Sequence, residues 1–330
     1  MHIAIIGAGL SGLTCARRLH EQGHSVIVYE KSHAVSGRMS TRQTDFGGFD
    51  HGAQYFTASS DTFKKDVASW TKAGWVAPWQ GKFVALDHGT ATVAGKSGSR
   101  HVGVPGMRSV GVHLAQGLDV RTGQRVDHIE AHGEQWLLAV HCDTVPVAAS
   151  AGPFDAVIVA VPADQATALL EVVPAFAKAA KKAFLVPCWT LMAAFQDSLE
   201  LGYDGAWVNN SRLSWLAHDA SKPGRRPGEH WIGQASAAWS IEHLEDEPDR
   251  VREKLLKAFH EATGSQVQPV FSTVHRWRYA QAATTLKDDC LWNKKLRIGA
   301  CGDWFAAGLD GAGKIENAYL SGAALAAVIA

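Results

Sequence analysis

The first thirty residues constrain this chain more than any other stretch. Ile3-Ala4-Ile5-Ile6 is a short apolar run of β-forming residues, followed at once by Gly7-Ala8-Gly9-Leu10-Ser11-Gly12 and a helix-like segment through His20. Each glycine has a separate task. Gly7 allows a tight turn out of the strand, Gly9 lets a pyrophosphate approach the backbone, and Gly12 lets the helix pack close on the sheet. The phosphates then lie on unpaired amides at the positive end of that helix. A second strand, His24 to Glu30, ends in an acid where such folds place a carboxylate on the hydroxyls of an adenosine ribose. Glu30 would repel a phosphate on the same sugar, so the expected nucleotide is FAD or NAD and not NADP.

A chain of 330 residues with 46% hydrophobic composition can fill two cores. Lys plus Arg equals Asp plus Glu at 32 each, which leaves no electrostatic footprint for nucleic acid or an anionic membrane. The five cysteines are scattered without a Cys-x-x-Cys pair, and no signal peptide precedes the first strand, so a cytoplasmic protein is expected. No apolar run reaches the ~18 residues a membrane span needs; residues 323–330 are too short. His128, His132 and His141 lie on an expected hairpin without a partner acid at ligand spacing, and no metal is expected there.

Further along, Ser59 to Gly74 reads as a helix with Phe63, Val67 and Trp70 on one face, and residues 95–100 as a Gly- and Ser-rich loop before a helix from Arg108 to Gln116. Trp75, Trp79 and Phe83 bracket a short sheet-like segment. Val120, Val126, Ile129, Trp136, Leu138 and Val140 are spaced as a small β-meander, which feeds the unbroken apolar strand from Phe154 to Val161. Residues from Pro162 to Lys182 read as helical. Strands are expected over 189–195, 207–215, 230–239 and 271–279, with a charged helix over 242–263. Strands in succession imply an antiparallel sheet. The expected class is therefore α/β, a Rossmann-like parallel-sheet domain (residues 1–58, 100–165 and 290–330) with a mainly antiparallel α+β substrate domain (59–99 and 166–289). Near the end, Gly302-Asp303 closes a strand and Gly311 to Ala318 opens the last helix. A carboxylate there can accept from ribityl hydroxyls, which favours FAD.

After Glu30 the chain runs through Ser36-Gly37-Arg38-Met39, then Asp50-His51-Gly52-Ala53-Gln54-Tyr55-Phe56. Here it resembles the flavin amine-oxidase superfamily, whose Gly-Gly-Arg segment lies against the flavin diphosphate; Ser36 stands for the first glycine, and the site tolerates it if that residue keeps an ordinary φ. A narrower resemblance, to bacterial renalase-like proteins, rests on residues 37–42 and 50–57, on His275-Arg276-Trp277-Arg278-Tyr279-Ala280, and on Gly302-Asp303-Trp304 with residues 317–322. The fold it implies is amine-oxidase or p-hydroxybenzoate-hydroxylase-like. The activity it implies is an FAD-dependent oxidase that takes hydride from an isomeric dihydronicotinamide dinucleotide, the 2- or 6-dihydro form, and reduces dioxygen to hydrogen peroxide.

Motif and resemblance together assign Gly7, Gly9, Leu10, Ser11, Gly12, Glu30, Lys31, Gly37, Arg38, Met39, Gln54, Val126, Gly302, Asp303, Lys314, Ile315 and Ala318 to FAD. Gln54, Tyr55, Trp277, Arg278 and Trp304 are expected on the substrate side; Arg276 and Arg278 are read as alternating across a strand, so that one faces inward. A dihydropyridine is already a hydride donor, so shape and stacking are required more than a base. The expected partners are this small molecule and dioxygen, with a monomer or weak homodimer as the assembly. Two other readings are an amine or polyamine oxidase and, in a different class, a noncatalytic carrier on the same scaffold. A desaturase or porphyrinogen oxidase would want a longer substrate domain and often a membrane-facing apolar segment.

Overall fold

The computed structural model describes residues 1–93, 98–142, 145–309 and 313–329. The chain forms two compact units, Met1–Arg38, Val110–Leu185 and Gln281–Ala330 in the first, Met39–Ser109 and Val186–Ala280 in the second. These limits differ from the expected ones. Residues 39–58 and 100–109 belong to the second unit because Asp50 is tied there to Lys222, Asp219 and Arg225. Residues 166–185 belong to the first, where the helix Ala163–Leu169 packs on the strand Gln124–His132, and so do residues 281–289.

The first unit is built on a six-stranded sheet in the order Leu291–Asn293, Ile298–Ala300, Ala156–Val159, His2–Ile6, Ser25–Glu30, Asp119–Thr122. All pairs are parallel except the edge pair Leu291–Asn293 with Ile298–Ala300. Ile3, Ala4, Ile5 and the whole of Ala156–Val159 are fully buried, as continuous apolar strands covered on both faces should be. The helices Leu10–Glu21 and Ile315–Ile329 pack so closely that a Cβ on Gly322 would lie 2.2 Å from the Ser11 carbonyl oxygen. The meander expected after Leu118 is a three-stranded antiparallel sheet of Gln124–His132, Gln135–Cys142 and Val145–Phe154; Val120 instead joins the parallel sheet. The helical region after Pro162 is broken by Pro174 into Ala163–Leu169 and Pro174–Ala180.

The second unit carries a seven-stranded sheet in the order Phe271–Thr284, Phe184–Phe195, Glu229–Ala235, Leu213–His218, Gly205–Asn209, Phe83–Asp87, Thr90–Val93. Gly205–Asn209 pairs parallel with Phe83–Asp87, and the pairs among Phe184–Phe195, Glu229–Ala235, Leu213–His218 and Gly205–Asn209 are antiparallel. The helix Pro248–Thr263 covers it, burying Val251, Leu255 and Phe259 against Leu191, Phe195 and Trp231. The stretch 207–215 is a hairpin of two strands, not one strand, and Asn210 makes its turn at φ 51°. The strand expected over 230–239 stops at Ala235, because Ser236 caps the helix Ala237–Glu242 through its hydroxyl and puts Trp239 on that helix. Pro248 then starts a separate helix, so the expected 242–263 helix is two. Of the expected 95–100 loop, residues 95–97 lie outside the described residues, as do Gly311 and Ala312 of the last helix's expected start.

Candidate functional site

At the C-terminal end of the first strand, Gly7 turns at φ 109°, where a Cβ would strike the Ala160 carbonyl oxygen at 2.5 Å. A Cβ on Gly12 would lie 2.1 Å from the Gly7 carbonyl oxygen, so only glycine lets the helix start against this turn. Gly9 differs in kind: it is the N-cap of Leu10–Glu21, at φ −76°, and a Cβ there meets nothing within 4 Å. Its bareness serves no internal packing and leaves room for a phosphate on the helix amides. Ser11, one turn in, is buried, and its Oγ has no partner among the described residues.

Glu30 is buried, and its two carboxylate oxygens accept from the amides of Ala8 and Ser32, both at 2.8 Å. The acid therefore fixes the glycine turn, with further lone pairs left for hydroxyl donors. Ser36 does not keep an ordinary φ. It sits at φ 91°, buried, with its amide on the Ala8 carbonyl at 2.9 Å, so the serine holds the backbone shape of the glycine it replaces. Gly37, at φ 53°, brings its own Cβ position to 3.3 Å from Gly9 Cα. Next to it, Arg38 makes a two-pronged ion pair with Asp303, at 2.8 and 2.6 Å. Both ends of the chain thus meet beside the glycine turn, and the Gly302 amide is held by Ser321 Oγ at 3.1 Å.

The other expected cofactor residues fare differently. Leu10 opens the first helix, Val126 is buried on Gln124–His132, and Lys314, Ile315 and Ala318 lie at the start of the last helix, where the Lys314 amide is capped by Asn317 Oδ1. Lys31 spends its ammonium on Gln165 Oε1 at the surface. Met39 and Gln54 belong to the second unit. Gln54 is buried there, and both its amide hydrogens go to the Asp50 and Gly52 carbonyls while its Oε1 accepts from Lys222 Nζ at 3.3 Å. Its side chain is committed to the interior of that unit.

Two of the expected substrate residues are elsewhere. Trp304 is fully buried in the first unit, donating to the Val161 carbonyl at 3.1 Å and packed on Phe305. Arg276 and Arg278 do not alternate. Residues two apart on a strand share a face, and both exposed guanidinium groups pair with Glu245, at 2.9 and 2.6 Å. Trp277, between them, points the other way and donates to the His51 carbonyl at 2.8 Å.

Trp277 completes an aromatic patch with His51 and His275. His51 stacks on it at 5.2 Å, His275 meets it edge-on at 4.4 Å, and Arg42 reaches His275 Nδ1 at 3.2 Å. Burial, then the facing His275 and Arg42, pull the His51 pKa down to about 4; burial and Arg42 do the same for His275. Both rings are neutral at pH 7. Two sequence blocks more than two hundred residues apart therefore pack as one cluster of neutral rings, His51 stacked on Trp277 and His275 edge-on to both.

Behind it lies a buried polar core that the sequence did not disclose. Lys222 and both its carboxylate partners have no exposed side-chain surface; Lys222 Nζ lies 2.5 Å from Asp219 and 3.4 Å from Asp50. Asp50 also accepts from Arg225, from Thr41 Oγ1 at 2.6 Å and from the Met107 amide at 2.9 Å. Against its burial, the two cations hold the Asp50 carboxyl below its usual range, whereas burial raises that of Asp219, which has fewer donors. The signal in the sequence was Asp219 and Lys222 one helical turn apart, disguised by the Pro223-Gly224 that follows. Arg100, also unpredicted, is buried among Phe83, Tyr55 and Trp207.

A parallel sheet with a glycine turn, a helix start, an acid on the turn's amides and a late aspartate beside it defines a dinucleotide-binding flavoprotein. A family model for "NAD(P)-binding Rossmann-like domain" matches residues 5–70, and one for "Flavin containing amine oxidoreductase" matches residues 83–330. The chain belongs to the flavin-containing amine oxidoreductase family; it is an FAD-dependent oxidoreductase. Among solved structures it is similar to cyclohexylamine oxidase from Brevibacterium oxydans IH-35A, with TM-score 0.73 and 15% identity over 99% of this chain and 98% of that one. Putrescine oxidase bound to putrescine gives TM-score 0.71 at 12% identity, with the same coverage. Such likeness shows the fold. A stretch of 52 residues is 48% identical to 4,4'-diapophytoene desaturase of Staphylococcus aureus strain Newman, spanning 16% of this chain and about a tenth of the desaturase. No helix among the described residues is long and apolar enough to cross a membrane.

The residues of the first unit fit FAD: Gly9 leaves an open approach, the Ser11 hydroxyl awaits an acceptor, and Glu30 holds the turn.

Proposed function

We propose that this protein oxidises an isomeric dihydronicotinamide dinucleotide, the 2- or 6-dihydro form, with dioxygen as the terminal acceptor. The observation that carries the reading is the cluster of Trp277, His51 and His275, aromatic and with both histidines neutral at physiological pH. FAD, when bound, would supply the hydride acceptor and the route by which dioxygen is reduced to hydrogen peroxide. The protein's part is to grip and orient. Gly9, Ser11 and the first helix would hold the diphosphate, Glu30 and Asp303 would offer acceptors to sugar and ribityl hydroxyls, and a planar substrate ring asks for stacking of the kind aromatic side chains give. A dihydropyridine carries no proton that must leave before hydride does, so neutral histidines are no handicap.

The family match favours a second reading, oxidation of an amine. Anaerobic stopped-flow reduction of the flavin separates the two. The 2- and 6-dihydro isomers should bleach it within a turnover time, while putrescine, cyclohexylamine and ordinary 4-dihydronicotinamides should be slow. Rapid reduction by amines, with no response to the isomers, would replace the first reading with the second.

A further inference from the structure

Arg100 is the one strongly charged group of the second unit's interior for which no carboxylate or carbonyl partner is found among the described residues. It is 9% exposed, and its Nε and Nη2 have no hydrogen-bond acceptor. Arg225, whose Nε is likewise unpartnered, has its terminal nitrogens met by Asp50 and by the Gly103 and Pro223 carbonyls. What surrounds Arg100 is aromatic. Its Cζ lies 3.8 Å from the Phe83 centroid, 5.1 Å from Trp207 and 5.3 Å from Tyr55. Its backbone is fixed, since its carbonyl accepts from the Trp79 amide at 2.8 Å.

Ring faces attract a guanidinium through its plane. They offer nothing to its N–H groups, which lie in that plane and point outward from the edge. Nε and Nη2 together form the side-on fork of arginine, two parallel donors spaced for the two oxygens of a carboxylate or phosphate. A third donor of the same cluster also lacks an acceptor: Trp215 Nε1 is buried and unpartnered, on a ring 5.1 Å from Trp207 and 5.6 Å from Tyr55. Three buried donors and no acceptor, in a cluster of flat rings, describe a receptor for an oxyanion borne by a planar molecule. The same cluster is unsuited to an ammonium group, because the position a cation would take among the rings is filled by another cation.

We propose that Arg100 and Trp215 form an oxyanion subsite, in which the Arg100 fork takes the phosphate or carboxylate of a ligand whose flat part stacks among Tyr55, Trp79, Trp207 and Trp215. Resting on the function proposed above, the natural occupant is a phosphate of the nicotinamide nucleotide. Tyr55, expected from sequence on the substrate side, is then a wall of this subsite.

Titration calorimetry on the FAD-loaded protein tests it, with nicotinamide mononucleotide, the phosphate-free nicotinamide riboside and benzoate as probes. The wild type should bind at least one of the two anions, Arg100→Gln should weaken that binding tenfold or more, and Arg100→Lys should restore part of it. Loss confined to the mononucleotide assigns phosphate; loss confined to benzoate assigns a carboxylate. Trp215→Phe keeps an aromatic ring while removing the N–H together with the five-membered part of the indole, so a severalfold loss of anion binding is readable even if Arg100→Gln fails to fold. Wild-type protein that binds neither anion, or Arg100→Gln and Trp215→Phe variants that bind them unchanged, overturns the subsite. Anion binding that depends on Arg100 without turnover of any dihydronicotinamide would leave the subsite standing and remove the proposed substrate.

Discussion

Replacing Lys222 by Met tests how the buried polar core is balanced. The network contains two carboxylates and two cations, all with almost no exposed side-chain surface. Without the ammonium, Asp50 keeps Arg225, Thr41 and the Met107 amide, while Asp219 keeps only the Asp50 amide at 3.1 Å. The uncompensated charge therefore falls on Asp219. Breaking such a buried pair costs about 3–5 kcal/mol. Burial already raises the Asp219 pKa, and removal of Lys222 raises it further. A carboxyl whose folded pKa lies above its unfolded one stabilises the fold below the unfolded pKa and loses that contribution as pH rises through the folded pKa. The deficit of Lys222→Met should thus be largest at pH 7 and shrink at pH 5. Urea unfolding of the flavin-loaded proteins, followed by tryptophan emission, measures both. Adding Asp219→Asn should recover more than half of the loss at pH 7, because the acid then carries no charge to strand. A loss under about 1 kcal/mol, or one that is equal at both pH values and untouched by Asp219→Asn, would refute this assignment of charge.

Gly9→Ala and Gly12→Ala should fail in different ways. The first has free space and an ordinary φ, so the protein should fold and elute with little flavin, whereas the second drives a Cβ to 2.1 Å from a carbonyl and should cut soluble yield; equal flavin content in Gly9→Ala and wild type would speak against the phosphate approach. Glu30→Arg removes the acceptor for two amides and should lower the flavin-to-protein ratio of the purified protein, and unchanged flavin content would argue against Glu30 as a cofactor residue. His51, held near 4 when folded, should make the protein lose about 3 kcal/mol as pH falls from 6.5 to 4, since the unfolded chain takes up a proton that the folded one refuses. Stability profiles of wild type and His51→Gln that run parallel across that interval would show His51 is not the source.

What the sequence disclosed was mostly local. The spacing of Gly7, Gly9 and Gly12 was legible within six residues, whereas the contact that requires glycine at Gly7 comes from the distant Ala160 carbonyl. The meeting of Arg38 with Asp303 was foreshadowed only by placing both near one cofactor; their direct pairing is a matter of three-dimensional distance. Lys222 and Asp50 are 172 residues apart, and no spacing rule reaches that far. Arg276 and Arg278 were misread for a different reason, because the two-residue period of a strand puts them on one side and gives the inward position to Trp277. Ser36 shows the limit of propensity. A residue with a Cβ accepts φ 91° because its amide is tied to the Ala8 carbonyl, which turn chemistry alone would not suggest.

The ion pair between Arg38 and Asp303 spans 265 positions of chain. On a ribosome adding about 5–20 residues per second, the arginine waits on the order of 13–53 s for its aspartate. Both segments of the second unit are synthesised before Asp303, while the nucleotide cradle still lacks its last wall. Free FAD therefore meets a finished grip only once Asp303 has been made, and nascent chains stalled short of residue 303 should carry none.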